Sequence, residues 1–155
     1  MSGDYAFPEG MKDTKVMVFV DGENLAARYG EILKTHANPR HSTYEPMVLA
    51  WASTLKRIGH PPIPVIRHHY YTSVVGNEEV RHAIHDKLAS LGIEAPRVFP
   101  KKKGRHSKRV DISLSVEMLS HAHRKNCDLA VLVAGDEDYV PLVQAVAAEG
   151  CRVIL

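Results

Sequence analysis

Short apolar runs alternate with amphipathic helical segments along almost the whole chain, and this alternation limits the fold more than any other feature. Buried parallel strands read as continuous apolar runs, whereas helices repeat their apolar residues every three or four positions. Strands separated by helices pair in parallel through right-handed crossovers. The sequence therefore predicts an α/β fold, a three-layer αβα sandwich with a mostly parallel sheet of about five strands. The predicted strands cover residues 16–20, 64–72, 94–99, 129–134 and 151–155.

Five amphipathic helices are predicted between and after these strands. The second is indicated by the capping-box spacing of Ser42 and Glu45, followed by an apolar stripe that starts at Val48. In the fourth helix, the apolar residues expected to face the sheet are Ile112, Val116 and Leu119. The predicted helices span about residues 25–36, 48–58, 80–91, 111–119 and 138–149.

Length and composition are those of one ordinary domain. The 155 residues are 45% hydrophobic and 25% charged, a balance that allows a single buried core. We predict a flexible N-terminal segment at residues 1–13 and one domain over residues 14–155. Cys127 and Cys151 are the two cysteines. Because the sequence shows no secretory signal and no long apolar run, we expect free thiols, a cytoplasmic location and no membrane contact.

Two of the predicted strands lead directly into acidic residues. The strand at 129–134 runs through a glycine into Asp136 and Asp138, and the first strand delivers Asp21, followed by Asn24. The carboxyl ends of parallel strands meet at one edge of the sheet, where α/β proteins bind their ligands. Asp111 begins the fourth predicted helix, after the loop that leaves the third strand, and is expected to face the same edge. The sequence thus predicts four carboxylates at one place.

Four clustered carboxylates require a positive partner. Two unit charges about 4 Å apart near a protein surface repel by roughly 4 kcal/mol. Carboxylate oxygens without histidine or cysteine in the same motifs favour a hard cation, with coordination positions left for water and phosphate oxygens. Such a cation activates water and polarises a phosphoryl oxygen. The predicted cofactor is therefore Mg²⁺ or Mn²⁺, and the predicted chemistry is hydrolysis of a phosphodiester.

A basic segment directly precedes Asp111. The net charge of the chain is only +2 with histidines neutral, so attraction for a polyanion has to come from local clustering of charge. Lysines and arginines bind nucleic acid by neutralising backbone phosphates and releasing counterions. The segment has no interleaved aromatic residues, so base stacking within it is not indicated. We predict RNA as the partner, single-stranded in preference, bound by Lys101, Lys102, Lys103, Arg105, Lys108 and Arg109.

Three blocks of the sequence resemble the signature motifs of NYN domains, the LabA-like branch of the PIN-like nuclease superfamily. They are Val20-Asp-Gly-Glu-Asn24, Lys108-Arg-Val-Asp-Ile112, and Ala134-Gly-Asp-Glu-Asp-Tyr-Val-Pro-Leu-Val143. They occur in the family's order, and the resemblance extends from about residue 15 to residue 155. It implies a PIN-like fold and metal-dependent cleavage of RNA. By position, the resemblance implies that the metal-binding and catalytic acids are Asp21, Asp111, Asp136 and Asp138, with Asn24 as a supporting polar group.

Three positions depart from the family's pattern. Glu137 stands between the acids of the third block where a serine is usual, and Tyr139 follows them where a phenylalanine is usual. Arg109 occupies a place that is often small or acidic. None of these changes removes an implied metal ligand, so the sequence predicts a metal-dependent ribonuclease.

The same residues allow other interpretations. Aspartate is a favoured helix N-cap, so Asp111, Asp136 or Asp138 could simply begin helices. A phosphatase of the haloacid-dehalogenase type would use Asp21 as a nucleophile, but its second acid belongs where Glu23 stands. The ten histidines form no familiar zinc spacing. The strongest alternative is an RNA-binding or regulatory module that keeps the fold and the acids but turns over slowly or not at all. A homodimer is one candidate assembly.

Overall fold

Eight strands and four α-helices make up the computed structural model, which describes residues 13–58 and 62–155, without the side chains of residues 57 and 58. The predicted flexible segment therefore lies outside the described residues, except for Asp13. No helix of the described ranges is long and apolar enough to cross a membrane. In chain order the elements are β1 (Val16–Asp21), α1 (Gly22–Leu33), β2 (Ser42–Glu45), β3 (Leu49–Ala52), β4 (Arg57–Ile58), β5 (Ile63–Val74), α2 (Glu78–Ser90), β6 (Ala95–Pro100), α3 (Lys108–His123), β7 (Leu129–Val133), α4 (Val140–Ala148) and β8 (Arg152–Ile154).

Five parallel strands form the central sheet in the order β6-β5-β1-β7-β8. The short strand β4 pairs antiparallel with the start of β5. In register, Asp21 lies beside Tyr71 of β5, and Val20 lies beside Val133 of β7. The carboxyl ends of the three central strands therefore share one edge of the sheet, as predicted. The α/β class and the parallel sheet are also confirmed.

Residues of β1 alternate between two separate cores, one on each face of the sheet. Val16, Val18 and Val20 pack with α2 and with β3. Met17 and Phe19 pack with α3 and α4 on the opposite face. Since successive side chains of a strand point to opposite faces, Asp21 belongs to the face of Met17 and Phe19. This alternation directs its carboxylate toward α3 and α4.

The predicted helix over residues 48–58 is wrong. Residues 49–52 form β3, which pairs antiparallel with β2, and Ser53–Lys56 is a short 3-10 helix. The Tyr70 hydroxyl hydrogen-bonds with both the N–H and the C=O of Ala50, at 3.1 Å each, and the Thr72 hydroxyl donates to the Val48 carbonyl at 2.6 Å. These contacts from β5 hold the segment extended. Apolar periodicity carries no information about such distant partners.

The face of α3 that packs on the sheet also differs from the prediction. The buried residues are Val110, Leu114, Met118 and Ala122. Ile112 and Val116, which were expected to point inward, are 60% and 62% exposed, and Leu119 is 36% exposed. Both apolar sets repeat at helical spacing, so periodicity alone does not choose between them. The helix begins at Lys108, earlier than expected, and this places Val110 in its buried first turn.

Candidate active site

Asp21 ends β1 and is held by hydrogen bonds at both carboxylate oxygens. Its Oδ1 accepts the N–H of Asn24 at 3.0 Å, which caps the N-terminus of α1. Its Oδ2 accepts the Tyr139 hydroxyl at 2.9 Å. Asn24 in turn accepts the N–H of Gly135 at 2.8 Å through its side-chain oxygen. The start of α1 is thereby tied to the loop after β7, and the buried Asp21 carboxylate has a fixed orientation.

Asp111 lies one turn inside α3 and meets Asp21 through Tyr139. The Tyr139 hydroxyl lies 3.2 Å from Oδ1 of Asp111 as well as 2.9 Å from Asp21. One hydroxyl proton serves two carboxylates, so Tyr139 bridges β1 and α3. Burial, followed by the charges of the two aspartates, raises the pKa of Tyr139 and keeps it protonated. The helix-cap interpretation of Asp111 is wrong, because Ser107 occupies the N-cap position of α3.

Asp136 and Asp138 lie on the exposed loop between β7 and α4. The Oδ1 of Asp136 accepts the N–H of Asp138 at 3.0 Å and begins a short 3-10 helix, Glu137–Tyr139. Asp136 therefore caps this 3-10 helix, but neither Asp136 nor Asp138 caps α4, whose N-cap position is Tyr139, so the prediction that one of them caps the fifth helix is wrong. Capping uses one oxygen of Asp136 and leaves the other free of the hydrogen bonds described for this loop.

The four aspartates act on one another electrostatically. Burial is the main cause that raises the pKa of Asp21, and the charges of Asp111 and Asp136 raise it further. The pKa of Asp111 is also raised, first by burial and then by Asp136 and Asp138. Mutual repulsion of this kind is relieved by a bound cation. The predicted acids at the edge of the sheet are therefore close enough for their charges to raise the pKa values of Asp21 and Asp111.

The donor set fits a hard divalent cation, since it consists of carboxylate oxygens. Asp21, Asp111 and Asp136 are the residues that would hold it, and Asp138, whose charge raises the pKa of Asp111, stays the fourth predicted ligand. Across the described ranges, however, no three His, Cys, Asp or Glu side chains already converge on a single ion position. Asp111 and Asp136 are exposed, but one oxygen of each accepts a hydrogen bond, from the Tyr139 hydroxyl and from the Asp138 N–H respectively. A metal would also compete with the Tyr139 hydroxyl for the oxygens of Asp21 and Asp111.

Glu23 is a buried acid that sequence reasoning did not assign to the site. Only 5% of its surface is exposed. It accepts a hydrogen bond from the Ser73 hydroxyl, and its carboxylate lies 3.3 Å from Nδ1 of His106 and 3.8 Å from Nζ of Lys101. Burial raises its pKa, and Lys101 and His106 oppose that rise. Its position between Asp21 and Asn24 was the available signal, but its partners lie 50 or more residues away along the chain.

The basic segment, residues 101–109, runs from the end of β6 into the first turn of α3, and its cations differ in their contacts. The side chain of Lys101 is only 10% exposed, and its ammonium also donates to the Met47 carbonyl at 3.4 Å. The Arg109 guanidinium lies over the Phe99 ring, 5.4 Å from its centre. The other four predicted cations are exposed, and they are Lys102, Lys103, Arg105 and Lys108. These exposed cations lie three to nine residues before Asp111 along the chain.

A parallel sheet between two helical layers, with acids at the carboxyl ends of its central strands, defines a PIN-like three-layer sandwich. The chain belongs to the NYN domain family, whose model matches residues 15–155. This family is nuclease-like. A crystal structure of a protein of unknown function from Vibrio parahaemolyticus is similar in fold, with a TM-score of 0.57 at 16% identity over 95% of this chain and 82% of that chain. A comparison with curated proteins found no match.

Proposed function

We propose that this protein is a metal-dependent ribonuclease of the LabA-like branch of the NYN family, acting on single-stranded RNA. The observation that carries the proposal is that Asp21 and Asp111 meet at the Tyr139 hydroxyl, at the carboxyl edge of the sheet. The charge of Asp136 raises the pKa of both. Membership of a nuclease-like family supports it. The exposed cations of the segment that precedes Asp111 in sequence add a surface for a phosphate backbone.

In this proposal, each part of the edge has a separate task. A divalent cation held by the aspartates would supply Lewis-acid activation of the phosphodiester and of the attacking water. Asp21 offers a carboxylate of fixed orientation, and Asn24 holds the loop after β7 against α1. The Tyr139 hydroxyl keeps Asp21 and Asp111 together while both are charged. The exposed part of the basic segment orients the RNA chain across the acids.

A second candidate function is an RNA-binding regulatory module with little or no turnover. Two observations favour it. Within the described ranges the acids do not converge on one ion position, and the Tyr139 hydroxyl lies between Asp21 and Asp111. Both functions share the basic surface, so RNA binding does not separate them, whereas cleavage does.

Cleavage of labelled RNA and DNA oligonucleotides by the wild-type chain, with Mn²⁺, Mg²⁺ or EDTA, tests the proposal. We expect RNA cleavage that requires the metal. The cleaving activity should co-elute with the protein on gel filtration. RNA that binds but stays intact under every metal condition would contradict the nuclease and favour the regulatory module. Cleavage that persists in EDTA would contradict the metal-dependent mechanism.

Divalent metal should raise the melting temperature of the protein. A ligand present at about ten times its dissociation constant stabilises the native state by about 1.4 kcal/mol. For a chain of 155 residues, that corresponds to a rise of about 3–6 °C. Thermal melts with Mn²⁺ or Mg²⁺ against EDTA measure it, and Asp111→Asn should show a smaller rise. A melting temperature that does not respond to millimolar metal would count against the aspartate site.

Removing exposed lysines of the basic segment should weaken RNA binding and reduce its dependence on salt. Each phosphate contact contributes about 0.7 to the salt slope for a single strand, so Lys102→Gln with Lys103→Gln should reduce the slope by about 1.4. The matched control replaces Arg124 and Arg152 by Gln, because these exposed residues lie at the opposite end of the sheet. Fluorescence anisotropy across a salt series measures the slope. Equal slopes for the two double variants would show that the basic segment is an ordinary solvated loop that does not bind RNA.

A further inference from the structure

A cavity of about 400 Å³ opens beside the acidic edge, at the carboxyl end of β5. Three segments line it: the turn between β2 and β3, the end of β5, and the basic segment. The first two contribute apolar side chains, and the third contributes cations. The cavity is thus amphipathic, with one apolar wall and one positively charged rim.

The apolar wall of the cavity is exposed to solvent. Met47 and Val75 are 43% and 47% exposed on it, while Val74 behind them is buried. Met47 adopts a left-handed backbone with φ 61°, which is uncommon for a residue other than glycine. Its turn is closed by a hydrogen bond from the Val48 N–H to the Glu45 carbonyl at 3.1 Å. Strained backbone of this kind persists where the surrounding structure fixes it, and it concentrates at ligand sites.

The charged rim connects the cavity to the catalytic acids. Arg105 and His106 line it, and both are exposed. Lys101 joins all three segments, because its N–H donates to the Val74 carbonyl at 3.1 Å, its ammonium donates to the Met47 carbonyl at 3.4 Å, and it lies 3.8 Å from Glu23. Glu23 follows Asp21 by two residues in the same turn. The cavity therefore has a fixed position relative to the site proposed for cleavage.

We infer that this cavity holds one unpaired nucleobase of the RNA, next to the phosphate that is cleaved. The inference rests on the proposed ribonuclease function and adds a substrate subsite to it. The thioether and aliphatic groups of Met47 and Val75 provide a surface for the face of a base, while the exposed guanidinium of Arg105 provides charge complementary to the adjoining phosphates. A base in a duplex is stacked and paired and does not enter a side cavity, so the subsite favours single strands.

An abasic scan of the substrate tests the inference. Decamer RNAs carry one abasic residue at successive positions, and wild type is compared with the double variant Met47→Asn, Val75→Ser. Asparagine suits the left-handed backbone at position 47. The control is Ile66→Ser, because Ile66 is 49% exposed near the start of β5, at the other end of the sheet. Melting temperatures of all variants report on folding.

We expect one abasic position next to the cut to weaken wild-type binding and cleavage by about tenfold. The double variant should be insensitive to that position, and Ile66→Ser should behave like wild type. If no position matters in wild type, or if the double variant keeps the same position-dependent loss, the inference is overturned.

The same abasic scan distinguishes failure of the base subsite from failure of the proposed nuclease activity. Anisotropy in EDTA measures binding without cleavage. A position-dependent loss of affinity in a protein that never cleaves RNA would support the subsite and contradict the nuclease. Metal-dependent cleavage with no positional effect would support the nuclease and overturn the subsite. Failure of wild type to bind single-stranded RNA would overturn the subsite as well.

Discussion

Replacing Asp21 by Asn should lower RNA cleavage by about a thousandfold, which corresponds to about 4 kcal/mol of transition-state stabilisation. Asp21 is the best fixed of the four acids, since both of its oxygens accept hydrogen bonds and its carboxylate is buried. Asparagine keeps the size and the cap acceptor but removes the charge that would hold a cation. Single-turnover cleavage of labelled RNA in Mn²⁺ measures the loss.

The same variant should fold and bind RNA. The pKa of Asp21 is raised in the folded state, first by burial. The ionised carboxylate therefore lowers stability at neutral pH, and this loss is relieved as the pH falls from the raised folded-state pKa toward the unfolded value. In EDTA at neutral pH, Asp21→Asn should melt at or above the wild-type temperature, and its RNA affinity should be equal or higher. Asp86→Asn is the control, because the side chain of Asp86 is 82% exposed on α2. An Asp21→Asn variant that cleaves like this control would refute the assignment.

Replacing Gly22 by Ala should destabilise the protein by about 3 kcal/mol, with a fall of about 6–12 °C in melting temperature. A Cβ atom at this position would collide with the edge of the Tyr70 ring and lie 2.8 Å from the backbone oxygen of Tyr71. The Tyr70 ring cannot swing away, because it is fully buried and its hydroxyl is bonded to the backbone of Ala50. Gly22 is required here because α1 starts against the backbone of β5.

Gly30→Ala is the matched control on the same helix. There a Cβ atom would meet only the hydroxyl of Tyr44, at 2.5 Å, which is the far end of a partly exposed side chain. Alanine also favours the helix over glycine by up to about 1 kcal/mol, so the control should lie close to wild type. Chemical denaturation measures both variants. Equal stability of the two variants would show that the contact between the start of α1 and β5 has room for a Cβ atom at position 22.

Apolar runs predicted the central strands well because buried parallel strands leave a local signal. Val16 to Val20 is buried throughout, and the acid at its end could be placed at the carboxyl edge from topology alone. The segment from residue 48 to residue 58 has helical apolar spacing but does not form the predicted helix. Its conformation depends on hydroxyl groups of Tyr70 and Thr72, about 20 residues or more away along the chain.

Within the site, the four aspartates could be named from the sequence, but the hydrogen bonds and charge pairs around them could not. Tyr139 joins residues 118 and 28 positions away, and it lies at a position where the family usually has phenylalanine. Glu23 is marked in the sequence only by its place two residues after Asp21, although it is the carboxylate to which Lys101 and His106 are paired. Hydrogen bonds between distant segments decide such roles, and the pattern of residue types along the chain does not contain them.

The central claim is that the aspartates at this edge of the sheet hold the metal with which RNA is cleaved. Anomalous diffraction from crystals grown with Mn²⁺ locates a bound ion directly. We predict a manganese peak bounded by Asp21, Asp111 and Asp136, with the Tyr139 hydroxyl displaced from at least one carboxylate. A peak elsewhere, for example at the histidines, or the hydroxyl still bridging Asp21 and Asp111 at saturating Mn²⁺, would contradict the account.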